Sequence, residues 1–369
     1  MTPETRATPP DPLSIRLLGE ADWLACSDSW RRLLASSDCD PLFCSPEWQQ
    51  AWWRHFGRRD ARLHALSAWR GTELVGLASF CRVSTWRHGL LPVRSLQPVG
   101  AAWRDSSGEI SEYLDILCPE ADRPAVQQAL LSELLRDPSW NELALPNTTR
   151  FEEWHDELAA APRTACRVVD RWSGHRCELG AGFTAYLRGL GASTRRSLFH
   201  LRRRLASEGA VRLESVETAQ CESALVELNA LHTRRWRRPA YSPAALEFHR
   251  DIGRLFGAAG NLRLSRLRVG TRVVSVLYDL RIGTHQYNLQ MGFDPAHGQG
   301  VSLGLLHLGF QMERAADEGV TTYDLLAGRG KNSDYKPRLA RLQVPMATVH
   351  AMRGPLRAPL LRAYALWRR

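Results

Sequence analysis

The residues best suited to chemistry lie in the last third of the chain. Residues 294–304 read DPAHGQGVSLG and lead into an apolar helical pattern, so Gly298, Gln299, Gly300, Ser302 and Gly304 stand where a helix begins. Glycines there leave main-chain N–H groups unshielded, and free amides together with the helix dipole favour an anion such as a phosphate. A plain turn has the same composition. Further on, Asp324 stands in the apolar run 321–326. A carboxylate with raised proton affinity in such a setting could accept a proton, or it could hydrogen-bond the end of a strand. Tyr335 and Lys336 follow. Of the 49 basic residues only Lys331 and Lys336 are lysine, and both fall in this loop, which suits a requirement for an ammonium there. His285 and Tyr287 share one face of the β run before the glycines.

The elements that must position these residues follow from periodicity. Leu262–Val269, Arg272–Ile282 and Thr284–Phe293 are three β-type runs separated by glycine-containing turns, a meander. The glycine-rich bend, a helix over 305–318 and the strand bearing Asp324 come next. Residues 63–83 lie over 262–282 without a gap and share the Gly-Thr turn, so two copies of one supersecondary unit are expected. In the first copy the pattern predicts helices over 20–35, 46–56 and 123–135. It also predicts a strand pair 93–99 with 110–117, and a strand over 141–145. Between the copies, Thr184–Ala206 reads as one helix with Arg188, Arg195 and Arg202 on one flank beside Arg196 and Arg203. Helix 218–236 ends in an arginine cluster beside Trp236, and Ser242-Pro243 opens a third helix.

Composition sets the bounds. At 369 residues, 44% hydrophobic and 24% charged, the chain suits two soluble α/β domains with cores of their own. The expected division is a loose tail over 1–12, a first domain over 13–160 and a second over 161–369 carrying the basic helices. The net charge of +10 is concentrated in 171–270, where eighteen arginines face eight acidic residues. That imbalance implies an anionic partner: a nucleotide, a phosphosugar, RNA or an anionic lipid surface met peripherally. The eight cysteines show no CxxC or zinc-ligand spacing, so reduced thiols and no metal are expected. No apolar run is long enough to cross a bilayer and no signal-peptide pattern opens the chain, so the cytoplasm is the expected location.

Three segments carry a family resemblance: FTAYLRGLGASTRRSLFHLRRRL (183–205), GFDPAHGQGVSLGLLHLGFQMERAADEGVTTYDLLAG (292–328) and SDYKPRL (333–339). They resemble the GNAT superfamily of N-acyltransferases, in particular its CelD-type branch, which is similar in turn to the Fem-type aminoacyl transferases. The aromatic-Asp pair falls on Tyr323-Asp324, the following glycine on Gly328 and the Tyr-Lys pair on Tyr335-Lys336. Two positions depart from the pattern: Pro295 stands where the phosphate loop carries Arg or Gln, and Ser302-Leu303-Gly304 replaces Ser-Pro-Gly. The resemblance implies tandem GNAT-like domains, each a mixed, mostly antiparallel sheet flanked by helices, and an acyl-CoA (acetyl-CoA) donor. It places the donor at the end of strand 286–293, with Gln290, Gly298, Gln299, Gly300, Ser302 and Gly304 as its binding residues. Asp324 would take the amine proton, Tyr335 would protonate the leaving thiolate and Lys336 would neutralise a phosphate or carboxylate. Arg195, Arg196, Arg202, Trp236, His285 and Tyr287 would meet an amine acceptor on a small molecule, saccharide or peptide. Two alternatives stay open: an aminoacyl-tRNA donor, and a non-catalytic module that holds an anionic saccharide or peptide.

Overall fold

The computed structural model describes residues 12–57, 61–87, 91–101, 110–298, 300–327 and 335–354. The repeat read from the sequence is present in the backbone. In the first copy β1 (Leu13–Leu18), β2 (Arg62–Arg70), β3 (Glu73–Arg87) and β4 (Leu91–Pro98) are successively antiparallel, and β4 lies parallel to β5 (Glu142–Thr148). After β6 (Thr164–Glu178) the pattern returns. Strands β7 (Val211–Ser215), β8 (Leu262–Val269), β9 (Arg272–Ile282) and β10 (His285–Phe293) are again successively antiparallel, and β10 lies parallel to β11 (Thr322–Asp324). Even local irregularities coincide. The β2–β3 register shifts at Ala68/Trp69 and the β8–β9 register at the corresponding Leu267/Arg268, while Gly71 and Gly270 take φ of 57° and 58° in the two turns.

The chain divides into two units, residues 1–171 with 347–369 and residues 172–346. The division therefore lies beyond the expected 160/161 boundary, and the last part of the chain belongs with the first unit. The physical reason is strand pairing: β12 (Leu342–Arg353) sets Ala347–Met352 antiparallel to β5. In the second unit β6 has the matching place, antiparallel to β11.

Helices of the first unit are α1 (Glu20–Ala25), α2 (Ser27–Ala35), α3 (Pro46–Phe56), α4 (Arg123–Arg136) and α5 (Phe151–Ala160). Ser45 caps α3 by accepting from the Trp48 amide at 3.2 Å, with Pro46 in the first turn. The core gathers Val126, Leu130 and Leu134 of α4 and Trp154 of α5 against Leu66, Leu96 and Leu143 of the sheet. The expected strand over 110–117 does not form. This segment makes a single bridge to the sheet, Leu77 with Leu117, because hydrogen bonds to Gly100 and Asn147 direct it elsewhere.

In the second unit the expected helix 184–206 is broken into α6 (Phe183–Arg188), α7 (Ala192–Arg195), a π-helical turn over Arg196–His200 and α8 (Arg202–Ala206). Two contacts explain this. The Arg341 guanidinium donates to the Gly189 carbonyl at 2.7 Å and fills the space a Cβ would need there. The carbonyl of Leu198, in the π turn, meets Gly309 of the long helix named below so closely that a Cβ on Gly309 would lie 2.0 Å from it. Next come α9 (Cys221–Trp236), α10 (Pro243–Ala258) capped by Ser242, α11 (Leu303–Asp317) and α12 (Lys336–Leu339).

A buried polar trio joins α11 to the sheet. Ser275 donates to the Gly292 carbonyl (3.1 Å) and so accepts the Nδ1 proton of His307 (2.8 Å), leaving Nε2 to accept from Ser265 (3.0 Å). Burial pushes the His307 proton affinity down to about 3. An unfolded histidine titrates near 6.5. The unfolded chain therefore holds a proton that the folded one lacks, and stability is full above that pH and declines below it, by about 1.4 kcal/mol per pH unit. A His307→Gln variant is expected to show a flatter fall in urea-unfolding free energy below about pH 6.5; an unchanged slope would refute the assignment.

Candidate functional site at the strand fork

Strands β10 and β11 pair over three rungs, His285–Thr322, Gln286–Tyr323 and Tyr287–Asp324, and no further. Past that point β10 continues to Phe293 paired with β9, and its register shifts at a bulge between Asn288 and Gln290. The two parallel strands thus form a fork, and among the described residues no strand pairs with β10 on that side beyond Tyr287. At the bulge, Gln290 uses its own side chain to accept from the Met291 amide at 2.9 Å.

Asp324 closes the other prong. It has no exposed surface, and Arg176 of β6 donates to its Oδ2 at 2.8 Å with His285 Nε2 3.4 Å from the same oxygen. Burial raises its proton affinity, but hydrogen bonding to His285 and the charge of Arg176 outweigh it and hold the carboxyl below the usual carboxylate range. The expectation of a raised affinity is thereby corrected, because a guanidinium from a distant strand supplies the missing countercharge. Its Oδ1 accepts the Leu326 amide at 2.7 Å. Leu326 has φ of 58°, a left-handed conformation that a leucine adopts only when its surroundings impose it. Lys336 secures the same turn: its buried ammonium donates to the carbonyls of Leu325 (2.5 Å) and Leu326 (3.1 Å). Tyr335, half-buried, is pushed up to about 12 by burial and by Cys177, against the opposing charge of Arg235, so its hydroxyl is a proton donor at neutral pH. His285 stacks on the buried Tyr287 with ring centroids 4.2 Å apart and planes 5° from parallel.

The glycine bend lies ahead of α11. Gly298 and Gly300 take φ of 68° and 72°, and Ser302 occupies the cap position without a side-chain bond to the first turn. Gly304 is packed so that a Cβ would lie 2.8 Å from Met291 and 2.9 Å from Phe293 on β10, which ties the start of α11 to the open prong. The guanidinium of Arg204 lies against Gly300, 3.0 Å from where its Cβ would be. Arg235 from α9 lies over the Phe293 ring at 4.0 Å and over Trp236 at 4.4 Å, which covers its faces and leaves the edge donors directed elsewhere. Gln299 and Gly328 lie outside the described residues.

The arginine flank divides by role. Arg202 is held between Phe199 (4.2 Å) and Phe310 (3.8 Å) and paired with Glu313 at 2.5 Å, so it serves the packing of α11 against the π turn. Arg195 is partly exposed, and Arg196 and Trp236 are exposed on the surface. Sequence reasoning missed Arg176 and Arg204, and read Arg235 only as one of the cluster that ends helix 218–236. It also missed Asp279 on β9, which bonds Gln286, Asn288 and Tyr323 beside the fork.

The first unit holds a matching fork that is filled. Strands β4 and β5 pair at Ser95–Glu142 and Leu96–Leu143, and Asn147, with φ of 57°, makes a left-handed turn one residue beyond the counterpart of Leu326. The strand registers match Ser95 with His285 and Leu143 with Tyr323, which puts Ala144 where the second unit has Asp324. Ser111 donates its amide to the Gly100 carbonyl (3.0 Å), and its own carbonyl accepts from Asn147 Nδ2 (2.9 Å), so this segment bridges both prongs. Trp48 Nε1 donates to the Ser111 hydroxyl at 2.8 Å.

A parallel strand pair opened by a bulge, and a glycine bend at the mouth of the following helix, are the architecture of a GNAT fold. Residues 192–337 match the family model of the Acetyltransferase (GNAT) domain. Solved structures agree on the fold. FemX superposes with a TM-score of 0.61 at 10% identity, covering 91% of this chain and 98% of that one. A tandem GNAT protein from the clavulanic acid biosynthesis pathway gives 0.53 at 12% identity, covering 93% and 99%. L-PGS from Bacillus licheniformis gives 0.51 at 9% identity, covering 90% and 94%. No curated protein matches the sequence. Among the described residues no helix is long and apolar enough to cross a membrane, and no cluster of side chains suits a metal ion. None of the eight cysteines is in a disulfide.

Proposed function

We propose that the second unit transfers an acyl group from acyl-CoA to the amine of an anionic small molecule, saccharide or peptide, and that the first unit does no chemistry. The observation that carries this reading is the open fork beside an uncapped, glycine-lined helix start, set against the filled fork of the first unit. The donor's phosphates would lie on the amides of 300–304, with Arg204 and Arg235 supplying the cations that Pro295 cannot. The thioester would lie along the main chain at the Asn288–Gln290 bulge. The amine nitrogen then bonds the acyl carbon, the carbon–sulfur bond breaks, and Tyr335 gives its proton to the thiolate. His285, oriented by Asp324, is better suited than Asp324 itself to take the amine proton, since the ion pair with Arg176 keeps that carboxylate a weak base. Lys336 positions the strained turn.

Acetyl-CoA at a hundred times its Kd is expected to stabilise the protein by about 2.7 kcal/mol. Arg204→Ala with Arg235→Ala should remove most of that shift, and Tyr335→Phe should lower turnover by about 10²-fold while leaving it intact. Absence of any shift with acyl-CoA of any chain length would defeat the reading. A second reading, an aminoacyl-tRNA donor, is favoured by the exposed run Arg234, Arg235, Arg237 and Arg238 at the end of α9. Copurifying RNA whose binding collapses with added salt is the outcome that selects it.

A further inference from the structure

One carboxyl beside the fork is not used in the chemistry above. Asp279 has no exposed surface. It accepts from Gln286 Nε2 (2.6 Å) and Asn288 Nδ2 (2.8 Å) on β10 and from the Tyr323 hydroxyl on β11. Among the described residues no arginine, lysine or histidine is bonded to it. Its partners hold the places that matter for the fork. Gln286 and Tyr323 form the middle of the three rungs joining β10 to β11, and Asn288 is the residue at which the bulge begins. Tyr323 otherwise belongs to an apolar layer with Leu277, Leu308 and Met312. A carboxyl in such a layer is expensive, and burial pushes its proton affinity up to about 7 against all three hydrogen bonds.

The repeat supplies an internal control. In the gap-free alignment of 63–83 with 262–282, the residue in the first unit that corresponds to Asp279 is Phe80, which is buried in an apolar core. The copy whose fork is filled by its own chain thus uses an aromatic ring here. The copy whose fork is open uses a carboxylate that ties both prongs to a third strand. Fold alone does not call for the carboxylate.

We propose that Asp279 is a positioning residue for acyl transfer: by holding Gln286, Asn288 and Tyr323 together it fixes the root of the fork, and so the separation between the bulge on β10 and the Asp324 turn on β11. The proposal rests on the reading of the fork as the transfer site. Its mechanism is geometric, since a shift of the reacting groups by about 1 Å costs on the order of 10²-fold in rate.

The test uses the full chain carrying Asp279→Leu or Asp279→Asn, with two readouts. Steady-state transfer from acetyl-CoA should show kcat lowered on the order of 10²-fold in the Leu variant, with the donor KM within about threefold of wild type. Amide hydrogen exchange, measured with no ligand, should quicken at 285–287 and 322–324 while the rest of the sheet keeps its protection. The Asn variant keeps one acceptor oxygen and should fall between the two. A folded Leu variant with unchanged kcat and unchanged exchange overturns the proposal, as does a loss spread evenly over the whole sheet. Should the Leu variant not fold, the Asn variant decides on the same two readouts. If the wild-type chain turns over no acyl-CoA, the proposed reaction fails by itself, and exchange at the three rungs still decides whether Asp279 fixes the fork.

Discussion

Asp324→Ala is expected to lose about 3–5 kcal/mol of folding free energy, the usual result of removing one partner from a buried ion pair. Three losses coincide at this position. Arg176 loses the carboxylate it donates to, the Leu326 amide loses its acceptor, and His285 loses the carboxylate that orients it. The left-handed Leu326 then keeps the Lys336 bond to its carbonyl but loses the bond to its amide that opposed relaxation. Urea unfolding should show a lower midpoint at an unchanged slope. Asp324→Asn separates two roles, since its amide oxygen can still accept from Leu326 while the charge facing Arg176 is gone. Recovery of most of the stability without recovery of transfer would assign Asp324 to charge and orientation. An alanine variant within about 0.5 kcal/mol of wild type would remove this account of the turn.

Gly309→Ala should be strongly destabilising, against the direction that helix propensity predicts. In the middle of a helix alanine is favoured over glycine by about 1 kcal/mol. Here the added Cβ would lie 2.0 Å from the Leu198 carbonyl oxygen and 3.0 Å from its carbon, which are main-chain atoms that cannot rotate away. Either α11 must move off the π turn or the π turn must rewind, at a cost of about 3 kcal/mol or more. Because α11 begins at the glycine bend, the shift should also weaken the acyl-CoA binding proposed there. Differential scanning calorimetry with and without acetyl-CoA checks both effects. A variant as stable as wild type would show that the helices do not meet so closely.

Much of the second unit is legible in the chain itself. The meander, the glycine bend and α11 each have a strong local signature, namely alternation with glycine turns, a glycine cluster and a helical apolar stripe. The duplicated hairpin is legible for the same reason, down to its Gly71 and Gly270 turns. What local pattern cannot carry is the partner from elsewhere. Asp324 reads as a carboxylate in an apolar run, and its proton affinity is misjudged because Arg176 stands 148 positions earlier. The stretch 184–206 has a continuous apolar stripe, yet it breaks where Arg341 reaches Gly189 and where Gly309 presses on Leu198. Arg202 reads as one of a row of equivalent cations until Phe199 and Phe310 enclose it. Asp279 has apolar neighbours in sequence and shows its purpose only when three strands are laid side by side.

The division of the chain bears on how it can be made. The second unit is one unbroken stretch, residues 172–346, whereas the first needs residues 347–353 to cover β5. The second unit is therefore complete in sequence while the amino-terminal half still awaits its last strand. Until then the edge of β5 is bare, and Glu142 lacks the imidazole of His350 that meets it in the finished sheet. A chain truncated after residue 346 should expose its amino-terminal half to proteases while its carboxy-terminal half resists them.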